Sequence, residues 1–213
     1  MVTPMSEARR FFDGMAPSYD RDLVDLRWDP IAFLQQWPLV VPPGATVLDA
    51  GCGTGAVLEH LAGAGRETIG FDVSPAMVDI ARRRRPLKGS RLEVASAGAE
   101  WPFTDDSVDL VLSLAMLEFV ESLDVALDEL HRVLRSAGRA LITFEDLTDW
   151  SGQPRDRYEL RYGELPLWRR SVAEVELMLP PGLRILRQER VRGYDVLELG
   201  FTTAYVAVEL VKE

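Results

Sequence analysis

An α/β fold built on a mostly parallel sheet is what this sequence predicts, on three observations. The stretch Val47-Leu48-Asp49-Ala50-Gly51-Cys52-Gly53-Thr54-Gly55 reads as a buried strand entering a glycine turn that opens a helix. Val47 and Leu48 are strand formers, and glycines on alternate positions clear side chains from a tight turn that a ligand can approach. Val57, Leu58 and Leu61 then recur at helical spacing. The second observation is Ile69-Gly70-Phe71-Asp72-Val73-Ser74-Pro75, an apolar strand ending in an acid. That acid falls about 20 residues past the first glycine, where a ribose-binding carboxylate belongs in such folds. The third is the alternation of strand-like and helix-like segments through the rest of the chain.

A strand, a glycine turn and a helix N-terminus together make a site for a small molecule with polar or anionic groups. An ionised Asp72 can accept from both hydroxyls of a ribose diol. Its competing role is that of a strand-end acid helping to cap the following helix, for which Ser74 is a good N-cap and Pro75 a good first residue.

VLDAGCGTG, GFDVSPAM and AEWPFTDDSVDLVLS together resemble the class I S-adenosylmethionine-dependent methyltransferases. The branch matched is that of small-molecule enzymes, including those of ubiquinone and menaquinone biosynthesis. The resemblance covers Tyr19 to about Phe144. It implies a Rossmann-like methyltransferase fold: a mostly parallel, seven-stranded sheet with helices on both faces and an antiparallel last strand. It also implies S-adenosylmethionine as cofactor and a small-molecule methyl acceptor. Within Phe12-Asp13-Gly14-Met15-Ala16-Pro17-Ser18-Tyr19-Asp20 it implies that Tyr19 bonds the methionine carboxylate and closes over the cofactor. It places Asp49 on the methionyl amino group, Gly51 and Gly53 against the ligand, Asp72 at the ribose, Met77 on the adenine face, and Val73 among the cofactor-binding residues. Relatives often carry an aspartate for the adenine amino group after the third strand. Here Ala97 or Gly98 replaces it, leaving the Glu100 carboxylate or the backbone at Ala99 for that contact. Leu114 to Val120 should border the methyl-transfer cleft, with Leu114 on the cofactor. Phe119 stands where many relatives have a histidine base; Glu118 remains as a candidate for that role, against its reading as an exposed helix-start acid. No catalytic residue is assigned and no metal is expected.

Composition narrows the classes. A chain of 213 residues with 47% hydrophobic and 27% charged content suggests a single domain, 1–213, of ordinary soluble balance. A net charge of −10 argues against broad nucleic-acid binding. One cysteine excludes a disulfide framework and fits a reducing compartment. The start lacks a signal-peptide pattern and no apolar run reaches membrane-span length, so no membrane insertion is expected and a cytoplasmic location follows by default. Oligomeric state is not legible.

Taken in order, residues 1–43 should form a helical cap before the first strand, with a helix over Ser6–Met15 and a second after Asp29-Pro30 from Ile31 to about Trp37. Cys52 reads as a small buried side chain without a partner base. Arg82 to Arg85 close the helix after Asp72, where positive charge suits the dipole. Arg91–Ala95 and Val108–Ser113 read as strands three and four. Ser122–Arg135 is the clearest helix, with Leu123, Ala126, Leu127, Leu130, Val133 and Leu134 on one face and Gly138 as stop signal. His131 and His60 carry no functional expectation. Arg139–Phe144 should be the fifth strand. Residues 145–170 lack a period but hold Trp150, Tyr158, Tyr162 and Trp168; lying after a strand, they read as a substrate lid. A helix over Ser171–Leu179 and strands over Leu183–Val191 and Phe201–Val211 finish the chain.

Two other functions compete. Gly51-x-Gly53-x-x-Ala56 formally fits a nicotinamide-dinucleotide fingerprint, although the chain is short for two mononucleotide halves and a substrate site. The departures at Gly98 and Phe119 also suit a non-catalytic S-adenosylmethionine-binding subunit.

Overall fold

A computed structural model describes residues 4–84 and 90–213; Arg85, the last of the arginine run, lies outside them. Three helices come first: α1 (Pro4–Met15), α2 (Tyr19–Asp25) and α3 (Pro30–Gln36). Asp29 caps α3 by accepting from the Ile31 and Ala32 amides at 2.9 and 3.0 Å. Helix α2 has no counterpart in the sequence reading. Its YDRDLVD is too short and too polar to show a face, and it has no buried residue.

The parallel half of the sheet follows: β1 (Thr46–Ala50), α4 (Ala56–Gly63), β2 (Glu67–Asp72), α5 (Pro75–Arg84), β3 (Arg91–Val94) and β4 (Val108–Ser113). Helix α6 (Leu123–Val133) and β5 (Leu134–Glu145) come next. A small antiparallel hairpin, β6 (Tyr158–Arg161) and β7 (Leu165–Trp168), precedes α7 (Val172–Met178), β8 (Leu183–Val196) and β9 (Phe201–Lys212). The main sheet has seven strands in the order β3-β2-β1-β4-β5-β9-β8. Strands β1 to β5 pair in parallel, and β9 runs antiparallel between β5 and β8.

Alternate strand residues face opposite layers. Leu48, Val111 and Ile142 join the apolar face of α6 in one cluster. Val47, Leu110, Leu112 and Leu141 pack with Val57 and Leu61 of α4 in the other. Burial on both faces explains the near-continuous apolar strands. It also explains β9, whose two phases are both covered: Val206 and Val208 on one side, Tyr205 and Glu209 on the other. The outer strand β8 instead carries Arg184, Arg187, Arg190 and Arg192, which blunts the sheet edge.

Three boundaries differ from expectation. Helix α6 ends at Val133, not Arg135, because Leu134 turns extended and pairs with Val108, so β5 begins five residues early. Gly138 is therefore not the helix stop. It sits where a Cβ would lie 2.7 Å from the Arg135 carbonyl oxygen. Strand β8 runs on to Val196 because Asp195 and Val196 pair with Thr202 and Phe201, closing a tight turn where a loop was expected. A capping box in which Ser171 and Glu174 satisfy each other's backbone amides fixes the start of α7.

Chain order reverses at β1, whose neighbours are β2 on one side and β4 on the other. Ligands in open α/β sheets bind outside the carboxyl ends of the strands at such a switch point.

Candidate functional site

The glycine turn leaves β1 at that point. Gly51 and Cys52 both donate their amides to the Phe71 carbonyl at 2.9 Å, fastening the turn to the end of β2. Gly51, Gly53 and Gly55 have φ of +83°, +51° and +82°, the left-handed region that costs other residues about 1–2 kcal/mol. A Cβ on Gly51 would lie 2.4 Å from Met116 Cγ, so that glycine is required by close approach as well as by conformation. A Cβ on Gly53 would meet only the edge of the Tyr19 ring, at 3.4 Å.

Asp72 joins the pieces. One carboxylate oxygen accepts from the Gly53 amide and the other from the Ser74 amide, each at 2.9 Å. The acid thus pins the turn and caps the next element at once. Each oxygen keeps a further lone pair. Helix α1 docks on the same corner through Asp13, which accepts from Ser74 Oγ at 2.6 Å and the Ala76 amide at 3.2 Å. The Thr54 hydroxyl donates to Asp20 beside Tyr19, holding the start of α2 over the turn.

These elements enclose a cavity of about 370 Å³. Tyr19, Gly51, Gly53, Asp72, Val73 and Met77 line it, six of the ten residues assigned to the cofactor from sequence. The other four do not. Asp49 is buried at the end of β1, 4% exposed, one layer below. Ala99 and Glu100 are exposed beyond the cavity, whose wall there is made by Ser96, Ala97 and Gly98. Leu114 packs on the opposite cluster around Trp37 and Val47. Ala115, at φ +54° with its amide bonded to Thr143 Oγ1 at 2.7 Å, turns the chain so that it and Met116 face the cavity instead.

The α1 residues that line the cavity carry no cofactor role in the sequence analysis, whereas Ala115, Met116, Phe119 and Val120 lie in the stretch expected to border the cleft. Met5, Ala8 and Phe12 of α1 form one wall, and their i, i+3, i+7 spacing was the available signal. Phe119 lines the opposite wall and meets Phe12 edge-on, centroids 5.2 Å apart.

The site is acidic. Burial pushes the Asp49 carboxyl up to about 7, with the neighbouring Asp72 charge adding to it. Burial raises Asp72 to about 6 against the pull of its bonds to the Ser74 and Gly53 amides. Burial, then Asp72, Glu118, Asp20 and Asp49, raise the Tyr19 phenol far above its ordinary value, so it remains a donor. Among the described residues no arginine or lysine forms an ion pair with Asp49 or Asp72. Cys52 is buried and its thiol is raised well above the usual value, mainly by desolvation, which suits packing and not nucleophilic attack.

Glu118 is not the exposed helix-start acid expected from its position. It is 0% exposed, in a short 3-10 turn, Leu117–Phe119. Tyr205 of β9 donates to its Oε1 at 2.6 Å, and burial pushes the carboxyl up to about 7. The turn bends Glu118 inward while Met116 and Phe119 face the cavity, an inversion that no sequence period signals.

Residues 48–142 match the family described as a methyltransferase domain. A demethylmenaquinone methyltransferase of Tropheryma whipplei (strain Twist) is 33% identical over 64% of this chain and 58% of its own length. A malonyl-[acyl-carrier protein] O-methyltransferase of Methylococcus capsulatus is 40% identical over 50% of this chain and 40% of its own. The chain thus spans little more than half of the first of these relatives. Among solved structures, a Haemonchus contortus N-methyltransferase in complex with phosphomonomethylethanolamine and S-adenosylhomocysteine superposes with a TM-score of 0.77. It covers 100% of this chain and 60% of its own at 15% identity, a likeness of fold. With the strand order, the glycine turn and the acid at the end of β2, these matches make residues 48–142 similar to methyltransferase domains and give the whole chain the fold of solved methyltransferases.

Proposed function

We propose that this chain transfers the methyl group of S-adenosylmethionine to a small-molecule acceptor. The observation that carries the reading is the glycine turn locked to Asp72 at the mouth of an acid-lined cavity. The residues fit the cofactor on two counts. Gly51 and Gly53 bring bare backbone to the cavity wall, where no side chain of the turn stands between it and a ligand. Two carboxyls, Asp49 and Asp72, are held at raised pKa without a cationic partner among the described residues, and a ligand with a sulfonium and an ammonium supplies one.

Asp72 would hold the ribose diol, Gly51 and Gly53 would admit the ligand to the backbone, and Val73 and Met77 would face the base. Asp49, Tyr19 and Leu114 are assigned to the methionine end, and Ala99 and Glu100 to the adenine edge, on family resemblance. When bound, the cofactor supplies a methyl made electrophilic by its sulfonium. Met5, Phe12, Met116 and Phe119 then exclude water from the reacting end. No histidine lines the cavity, and the Tyr19 phenol is too weak an acid to serve as a base near neutrality. That favours an acceptor whose nucleophile needs little help in losing a proton. The names of the relatives support quinone-type or acyl-carrier-bound acceptors. Residues 1–43 act as cap and 145–170 as lid in this reading.

Calorimetry tests it. The protein is expected to bind S-adenosylmethionine and S-adenosylhomocysteine, and not NADH; tight NADH binding alone overturns the proposal. A metabolite screen with labelled S-adenosylmethionine then separates a catalyst from a silent binding subunit.

A pH dependence follows from the raised carboxyls. With Asp49 near 7 and Asp72 near 6, above the ordinary 3.8, the folded apoprotein favours their neutral forms. These groups therefore cost the apoprotein stability as pH rises from about 4 through 7. A cationic ligand needs them ionised, so its affinity rises over the upper part of the same window. S-adenosylmethionine is expected to bind on the order of tenfold more tightly at pH 8 than at pH 5.5, one pKa unit being one decade. A flat profile would remove the ionic part of this account.

A further inference from the structure

Residues 158–170 line no part of the cavity, yet they hold both of its walls. The hairpin is fixed to the carboxyl end of β5 by buried charge. Glu145, 1% exposed, accepts from Arg161 at 2.8 Å and Arg169 at 2.6 Å, and both guanidiniums are wholly buried. Glu159 pairs with both arginines, and Tyr194 bonds Arg161. Buried pairs of this kind are costly to break singly, about 3–5 kcal/mol, because the remaining charge is stranded. The hairpin turn touches α1: Tyr162 stacks on Phe11 at 5.9 Å and Glu164 pairs with Arg10 at 3.3 Å.

Arg170 makes the second connection. It stands between β7 and the cap of α7, 7% exposed, with its own amide donating to the Glu145 carbonyl at 3.2 Å. Its guanidinium donates to the carbonyls of Leu117 at 3.2 Å, Val120 at 2.5 Å and Glu121 at 3.0 Å, and to Trp168 at 3.4 Å. Phe119, Val120 and Glu121 are cavity wall. A planar fork of five N–H donors can hold several carbonyls in fixed relation; an ammonium cannot reproduce that geometry. The same turn is gripped from beneath by Tyr205 through Glu118.

We propose that Arg170 is a positioning residue for the cofactor cavity, transmitting the placement of the β6–β7 hairpin to the wall after β4, so that cofactor affinity and hairpin order are linked. The proposal rests on the cofactor reading above. Linkage is reciprocal: a ligand ordering the wall must also order the hairpin.

The test uses the full chain, with S-adenosylhomocysteine as probe, read by calorimetry and by amide hydrogen exchange. Arg170→Met is expected to weaken binding about tenfold, within the roughly 5–150-fold span of ordinary coupling. It should also speed exchange at 117–122 in the free protein and remove the ligand-induced slowing at 158–168. Arg170→Lys should fall between, and Arg157→Met, which breaks an exposed pair with Glu174, should change none of these. Wild-type affinity in Arg170→Met overturns the proposal, and so does lost affinity with unchanged exchange at 117–122. If Arg170→Met does not fold, Arg170→Lys is judged by the same two criteria. Failure of the wild type to bind the probe sinks the cofactor reading instead, and free-protein exchange at 117–122 still decides whether Arg170 holds the wall.

Discussion

Gly51→Val is expected to abolish S-adenosylhomocysteine binding, a loss beyond about 100-fold, in a protein that still folds. Two costs coincide at this position. A φ of +83° is strained for a β-branched residue by at least the roughly 1–2 kcal/mol of the left-handed region. The new Cβ would also lie 2.4 Å from Met116 Cγ and 2.8 Å from Met116 Cβ. The second of these atoms is fixed to the backbone, so the side chain cannot simply swing away. Met116 is cavity wall, and relief comes by pushing it into the space the cofactor needs. Gly53 makes the informative contrast. A Cβ there meets only Tyr19 at 3.4 Å, so Gly53→Ala should lower the melting temperature only by what the roughly 1–2 kcal/mol cost of its left-handed φ requires and still weaken the ligand. Circular dichroism and calorimetry on the two variants check this; wild-type affinity in Gly51→Val would remove the turn from the site.

Asp72→Asn is expected to weaken S-adenosylhomocysteine by about 100-fold and to lower the melting temperature as well. The carboxylate accepts from the Gly53 and Ser74 amides on opposite oxygens. An amide side chain offers one acceptor and one donor, so one of those N–H groups loses its partner at about 1–3 kcal/mol. The ligand loses more, because hydrogen bonds to a charged acceptor contribute about 1.5–3 kcal/mol each and the ribose diol has two donors. The two effects separate experimentally: a lowered melting temperature with unchanged affinity would leave Asp72 as a cap and turn clamp alone.

That double duty shows why the strand-end acid supported two readings from sequence. Ribose acceptor and helix-capping acid were alternatives there; in the fold the same carboxylate caps the Ser74 amide, clamps the turn and keeps lone pairs for a ligand. Phe119 was recognised as replacing a histidine, but not as half of an aromatic contact with Phe12 across the cavity. Leu114 is expected on the cofactor, and in the fold it packs around Trp37 and Val47 while the left-handed Ala115 turns itself and Met116 toward the cavity. Arginines 161, 169 and 170 lie in a segment without period, where nothing in the sequence singles them out. Their burial depends on Glu145 and the carbonyls of 117–121, partners between 16 and 53 residues away in the chain.

Without revealing α2 or the β6–β7 hairpin, the sequence by itself determined the chain order of the seven sheet strands and of most helices, the glycine turn and the acid that follows it. Each of these depends on side chains a few residues apart and on backbone preferences, which a linear pattern records. Tertiary structure alone decided which way the turn after β4 presents its side chains, that Glu118 is buried, and that a hairpin outside the cavity grips its wall. Those outcomes depend on where remote charges find partners once water is excluded, and local spacing holds no record of that.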